Sequence, residues 1–445
     1  MKTESLLTLF ALLFVYSLTA QHSSLDPYGG TLSIEGSKTG FFHLQQIDGR
    51  SRLITPDGHA FFVLGINHIN ACEKELYAAV PDFMTEEVRK KRISNDLQSW
   101  KMNTCGYGCP DYLQDDYPYF TAVSFLSNAH YKPKQTFAFD DVFAAEFIEN
   151  CKNKIREACL IHASNPNLVA YFWTDTPRWD IMISRDRHGE DWVSYIRNLG
   201  SESEGKHKYV NFLKYRYQDI DKFNLAYGLH FLDFEQLVDA RFDHIDVSHP
   251  HILVDDYAFL EIIAEQLYHL LAITFKKYDG NHLLFGEKYI AGDHPDGVLK
   301  IAAKYVDAIS IQAGPTMGPG PGDGIDEKIF NKIQFDHINN ITGKSILVCD
   351  HAISFHNPDF PVTLWHQGRD EEAAGNLYQD YLIASASQPY ILGYQRCQYI
   401  DFYDPQRGLL KQGLVDENGN RHGIYSKAIA QANQRALQIV YGSGK

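Results

Sequence analysis

The chain has 445 residues, 44% of them hydrophobic, enough for one large core or two ordinary ones. A formal net charge of −15 argues against a nucleic-acid partner, whose phosphates demand basic surface. Seven cysteines at positions 72, 105, 109, 151, 159, 349 and 397 are too few for a disulfide framework. No second C-x-x-C or spaced His set accompanies Cys105 and Cys109, so the spacing offers no zinc site, and no cofactor is expected. Aromatics make up 13% of residues, a surplus that suits stacking on sugar faces once the core has taken most of them.

Residues 1–20 read as an export signal: Lys2, an apolar run over 6–15, and small residues before a cut after Ala20. No later segment approaches about 20 consecutive apolar residues, so no membrane span is expected in the mature chain. Periplasm or medium are the expected compartments. Residues 21–60 alternate apolar and polar positions and turn at Asp48-Gly49 and Pro56-Asp57-Gly58, which predicts an N-terminal β-hairpin extension.

Eight short apolar runs follow, at 61–67, 102–107, 121–125, 168–175, 283–287, 308–312, 346–350 and 391–395. Stretches such as 142–161, 257–278, 295–305 and 369–387 lie between them, with apolar residues at three- and four-residue spacing. Buried strands alternating with helices predict an α/β fold, a (β/α)8 TIM barrel over 61–445; such barrels take about 250 residues or more. The surplus falls after the fourth strand, where 181–256 form an enlarged loop with helical, aromatic-rich sequence. The Gly/Pro-rich segment 314–324 reads as a loop covering the site or as a surface excursion. A last helix over 424–441 closes the chain.

Such barrels place their sites at the C-terminal strand ends. Polar residues gather there: Asn67 and His68 after the first run, Asp175 at the fourth, Glu287 and Lys288 at the fifth, Gln312 at the sixth, Asp350 and His351 at the seventh, Gln395 and Arg396 at the eighth. Asp175 and Asp350 stand across the expected mouth, as two acids must when they work on one glycosidic bond. Thr176 and Pro177 also suit a plain helix start, which would make Asp175 incidental. Glu287 is the alternative acid, unless it pairs with Lys288 or Arg396. Trp173, Trp179 and Trp365 are candidates for sugar stacking or for core packing. Asn67, His68, Gln312, His351, Gln395 and Arg396 are candidate hydroxyl binders, and the planar fork of Arg396 also matches a sulfate or carboxylate.

The segments "GFFHLQQIDGRSRLITPDGHAFFVLGINHI", "NPNLVAYFWTD", "YRYQDIDKFNLAYG", "HLLFGEKY", "AAKYVDAISIQ", "KSILVCDHAISF" and "PYILGYQRCQYIDFYDP" keep one order along most of the chain. Together they resemble the clan A glycoside hydrolases, chiefly the family 50 β-agarases, with a fainter likeness to the family 42 β-galactosidases. The resemblance implies an acid/base at the end of the fourth strand, an Asn-Glu pair in the family, and a glutamate nucleophile on the seventh. Here those positions read Asp175-Thr176 and Asp350, so both glutamates are replaced. Threonine has no proton to give near neutral pH, which leaves Asp175 as the acid and the shorter Asp350 as base or nucleophile. Retaining enzymes hold their carboxyl groups about 5–5.5 Å apart and inverting ones roughly 6.5–9.5 Å, and the shorter aspartates favour the wider gap. The expectation is an exported hydrolase of galactan-type polysaccharide or its oligosaccharides. The alternative is a carbohydrate-binding barrel without catalysis.

Overall fold

A computed structural model describes residues 24–442 except 78, 127–138, 176–178, 243–244, 247, 291, 293, 313–328, 360, 364–365 and 405–408. The expected barrel is present and closed. We number its strands β1 (Val63–Ile66), β2 (Thr104–Cys105), β3 (Tyr119–Val123), β4 (Leu168–Asp175), β5 (Leu283–Ile290), β6 (Ile309–Gln312), β7 (Ile346–His351) and β8 (Ile391–Arg396). They run parallel in sequential order, with β8 pairing β1 through Gly393↔Val63 to Arg396↔Ile66.

The segment before the barrel is more than a hairpin. Its strands Thr31–Glu35, His43–Ile47, Arg50–Ile54 and His59–Phe61 form a four-stranded antiparallel sheet in which the last strand lies beside the first. Asp48 and Gly49 both have positive φ (52° and 72°), the backbone that a two-residue turn between twisted strands requires. Phe42, Leu53 and Phe61 from this sheet share one apolar cluster with Val63, Phe120, Phe285, Leu347 and Leu392 of the barrel interior. Ser51 N donates to Pro389 O (2.9 Å) and Arg50 Nη2 to Ala386 O (2.9 Å), both just before β8. The sheet is therefore the floor of the barrel, which leaves the opposite, C-terminal end as the place for a ligand.

Helices clothe the outside: Ala145–His162, Pro250–Tyr278, Asp296–Ala302, Glu371–Ala386 and Gly423–Tyr441 where the periodicity predicts them. Two more are Glu86–Ser99, which buries only Ile93, Asp96 and Leu97, and Lys332–Thr342, which buries Phe335 and Ile338. Pro250–Tyr278 is long and apolar enough to cross a membrane, yet 61% of its most apolar window is buried inside the molecule.

The enlarged segment after β4 folds into short helices, among them Ile181–His188, Trp192–Arg197, Glu204–Tyr217 and Ile220–Tyr227. The first begins at Ile181 with Asp180 as its N-cap, whose carboxylate accepts from Ile183 N at 2.9 Å. A buried charge network moors the segment to the first turns of Pro250–Tyr278. Arg197 donates to both oxygens of Asp256 at 2.9 Å, and Tyr217 and Tyr227 donate to Asp255 at 2.6 and 2.9 Å.

Candidate active site

Two irregularities in the barrel's pleat decide which polar side chains reach its mouth. On β5, Leu283 and Phe285 point inward and Leu284 outward, so plain alternation would carry Glu287 inward. Gly286 interrupts the pattern with φ of +70°, and the register with β4 slips on both sides of the Phe172–Gly286 pair. A bulge of this kind exchanges the two faces downstream of it. Glu287 consequently packs outward and is fully buried, its Oε2 accepting from Trp179 Nε1 at 2.7 Å, with Tyr268 in hydrogen-bond contact. Burial, together with the Glu287 carboxylate, pushes the Tyr268 and Tyr289 hydroxyls well up, so both stay neutral. The alternative acid is thus turned away from the mouth, and Lys288 has taken the inward place.

The second irregularity is at β7. Leu347 and Cys349 face inward, and Asp350 follows in the left-handed region at φ 53° while the register with β8 slips between Val348 and His351. Asp350 thereby stays over the mouth, side chain 8% exposed. Asn67 Nδ2 donates to its Oδ1 at 3.1 Å and the Tyr107 hydroxyl donates to its Oδ2. The Lys288 ammonium stands 3.9 Å from the same Oδ2 and only 3.3 Å from the centroid of the Tyr107 ring. His68 Nε2 lies 2.8 Å from the Tyr107 hydroxyl, completing a chain from His68 through Tyr107 to Asp350. Charge-assisted hydrogen bonds and an opposite charge are what a buried carboxylate needs to offset its lost hydration.

This floor is aromatic. Tyr107 sits edge-on to Phe172 (6.5 Å), which stacks on Phe120 (5.2 Å). Gly106 is required beneath it, because a Cβ there would fall 1.7 Å from Asn67 Oδ1. Around the floor, Gln312 Nε2 donates to Lys288 O at 3.2 Å. The amide of Gln395, Oδ1 of Asn67 and Oγ of Ser310 are buried with no hydrogen-bond partner among the described residues. Buried polar atoms are nearly always satisfied, by water or ligand where protein does not serve.

Four expected sugar contacts are corrected by the structure. Trp173 points away from the mouth, stacked on Phe275 at 6.0 Å and beside Tyr268, fully buried between β4 and the long helix. His351 turns outward to stack on Tyr381 (4.1 Å), with Nδ1 2.8 Å from the Tyr394 hydroxyl. Arg396 is fully buried over the Tyr425 ring and donates to Gln398 O at 2.9 Å, so its fork is spent on the fold. Each lies on the outward face of its strand, where bulk and hydrogen bonds serve packing. Trp179 is buried against Trp192 and holds Glu287, and it offers no open face to a sugar. Asp175 ends β4 with its backbone paired to Lys288. Its side chain, together with Thr176 and Trp365, lies outside the described residues.

Tyr107 and Cys397 are site residues that the spacing of polar residues did not single out, and the sequence offers Lys288 only as a pairing partner for Glu287. The interior glycine of β5 was the available signal for Lys288, since a glycine inside a strand often marks a bulge. Cys397 brings a further possibility: its Sγ, a His68 ring nitrogen and an Asp350 oxygen all lie within 4.8 Å of one another.

No protein-family model matches the chain. Beta-agarase B of Vibrio sp. (strain JT0107) is 19% identical over 86% of this chain and 46% of its own length, so the chain spans about half of that curated relative. Among solved structures, an exo-beta-agarase superposes with a TM-score of 0.78 at 17% identity, covering 99% of this chain and 72% of that one. PfGH50B gives 0.80 at 16% identity over the same shares, 99% and 72%. A beta-galactosidase from the haloarchaeon Halorubrum lacusprofundi gives 0.56 at 12% identity, covering 84% and 58%. The chain resembles the family 50 agarases in sequence order and in fold, with a weaker likeness to the beta-galactosidases.

Proposed function

We propose that the chain is an exported glycoside hydrolase that cleaves a galactan-type polysaccharide or its oligosaccharides. Asp350 acts as base or nucleophile and Asp175 as proton donor. The observation that carries this reading is Asp350: a buried carboxylate turned over the barrel mouth by a left-handed backbone, held by Asn67, Tyr107 and Lys288. Unlike Asp48, which takes nearly the same φ in a hairpin turn, Asp350 takes it at the end of a barrel strand, and non-glycine residues held in that region collect at working sites. The similar proteins, agarases and a beta-galactosidase, support a galactose-containing substrate.

The chemistry follows from the neighbours. Lys288 and two hydrogen-bond donors favour the ionised form of Asp350, the form that attacks a sugar or deprotonates a water. A short side chain tethered by Asn67 and Tyr107 sits back from the sugar, which favours the wider carboxylate separation and inversion. Unsatisfied Gln395 and Asn67 atoms offer acceptors and donors to sugar hydroxyls. The test is sugar release from agar, porphyran and carrageenan oligosaccharides by wild type, Asp350→Asn and Asp175→Asn. Both variants should lose turnover by several powers of ten while still folding, and the first anomer seen by NMR should be inverted. Unchanged activity in Asp350→Asn refutes the assignment, and sugar retention without turnover by wild type identifies a binding protein instead.

A further inference from the structure

We infer that the barrel mouth holds a thiophilic divalent cation, of the zinc and cadmium class, on His68, Asp350 and Cys397. The three residues come from different places in the chain: the turn after β1, the end of β7 and the residue after β8. They nevertheless bring an imidazole nitrogen, a carboxylate oxygen and a thiol sulfur within 4.8 Å of one another. Tetrahedral zinc with bonds of about 2.0–2.3 Å sets its ligands roughly 3.3–3.6 Å apart, so closing on a metal asks for side-chain shifts near 1 Å. The donor set selects the ion: thiolate and imidazole suit zinc and cadmium, whereas calcium and magnesium take all-oxygen shells.

Access and stoichiometry fit as well. Cys397 and Asp350 are buried, and the half-buried His68 forms the side that faces solvent. Three protein ligands leave a fourth position for water, the arrangement of an open zinc site rather than a closed structural one. Asp350 retains capacity, since a carboxylate offers about four lone-pair sites. The Oδ1 oxygen, bonded to Asn67, is the better donor, because Lys288 stands beside Oδ2 and repels a dication there. Binding releases the thiol proton of Cys397 to solvent, as metal thiolates require. A cation seated there also takes Asp350 out of service. That consequence rests on the hydrolase reading, whereas the binding itself does not.

Cadmium titration of the full chain tests the site directly, followed by the ultraviolet thiolate-to-cadmium charge-transfer band and by calorimetry. Wild type should take one equivalent with the band and a rise in Tm. Cys397→Ser should lose the band, and His68→Gln should weaken binding by more than about 100-fold, beyond what changes outside the ligand shell produce. Both variants are checked for folding by their melts without metal. Lys288→Met, which removes the repelling charge, should bind more tightly. No band in wild type, or an equal band in Cys397→Ser, overturns the inference whatever the enzyme does. Zinc inhibition of sugar release, reversed by a chelator, is the separate readout: if the band is present and zinc leaves turnover unchanged, the role of Asp350 fails and the metal site stands.

Discussion

Replacing Lys288 by methionine tests whether Asp350 and Lys288 form one electrostatic unit. The ammonium and Oδ2 are 3.9 Å apart, with side chains 3% and 8% exposed. At that distance and an effective dielectric of about 20, their attraction is about 4 kcal/mol. Stripping one partner from a buried pair costs about 3–5 kcal/mol in practice, because the other charge is left uncompensated. Lys288→Met should therefore lower unfolding stability by that amount at pH 7, measured by urea denaturation. Asp350→Asn should also destabilise, and the double variant should recover most of the loss. A residual of about 1–2 kcal/mol should remain, from the lost cation–π contact of Lys288 with Tyr107. The pair exists only while Asp350 is ionised, so the gap between wild type and Lys288→Met should shrink as the medium is acidified. Single-variant losses that add within about 0.5 kcal/mol would show that the two groups do not interact and would remove the electrostatic argument for Asp350.

Gly286→Ala meets both positive φ and a contact of 2.9 Å to Val306 Cγ1, so it should cost about 1–3 kcal/mol in urea unfolding; a neutral result would deny the bulge. Trp173→Ala should lose about 3–5 kcal/mol with KM for galactan oligosaccharides unchanged, and a raised KM at full stability would return Trp173 to the sugar site. Arg197→Met leaves the buried Asp256 to Arg185 alone, whose Nη2 donates to it at 2.6 Å, and a loss of about 1.5–3 kcal/mol is expected, with protease sensitivity first in the 181–256 segment. His422 reports on pH: burial opposes its charged form, but the hydrogen bond and charge of Asp401, 3.1 Å away, prevail and raise its pKa. Its contribution is full below the unfolded value of about 6.5 and lost as pH rises through the higher folded value. The Tm gap between wild type and His422→Gln should accordingly be widest in mild acid and narrow toward alkaline pH, and a constant gap would contradict the pairing.

The order of residues alone dictates the architecture. Eight apolar runs separated by helical stretches can bury all their faces in few ways other than a closed parallel barrel, and the turn at Asp48-Gly49 announced the first hairpin of its floor. It also determined which end of the strands carries polar residues, so Asn67, Gln312, Asp350 and Gln395 were legible as site candidates. Which way those side chains point was left to the tertiary structure. A strand exchanges its faces with every residue, so one bulge at Gly286 sent Glu287 into the wall and Lys288 into the mouth, while a left-handed turn at Asp350 kept that carboxylate over the opening. His351, Arg396 and Trp173 were misjudged for the same reason, because their chemical types suit a site and their faces do not. Cys397 and His68 are 329 positions apart and show no ligand spacing. Only closing the barrel, which sets its first strand beside its last, brings them together.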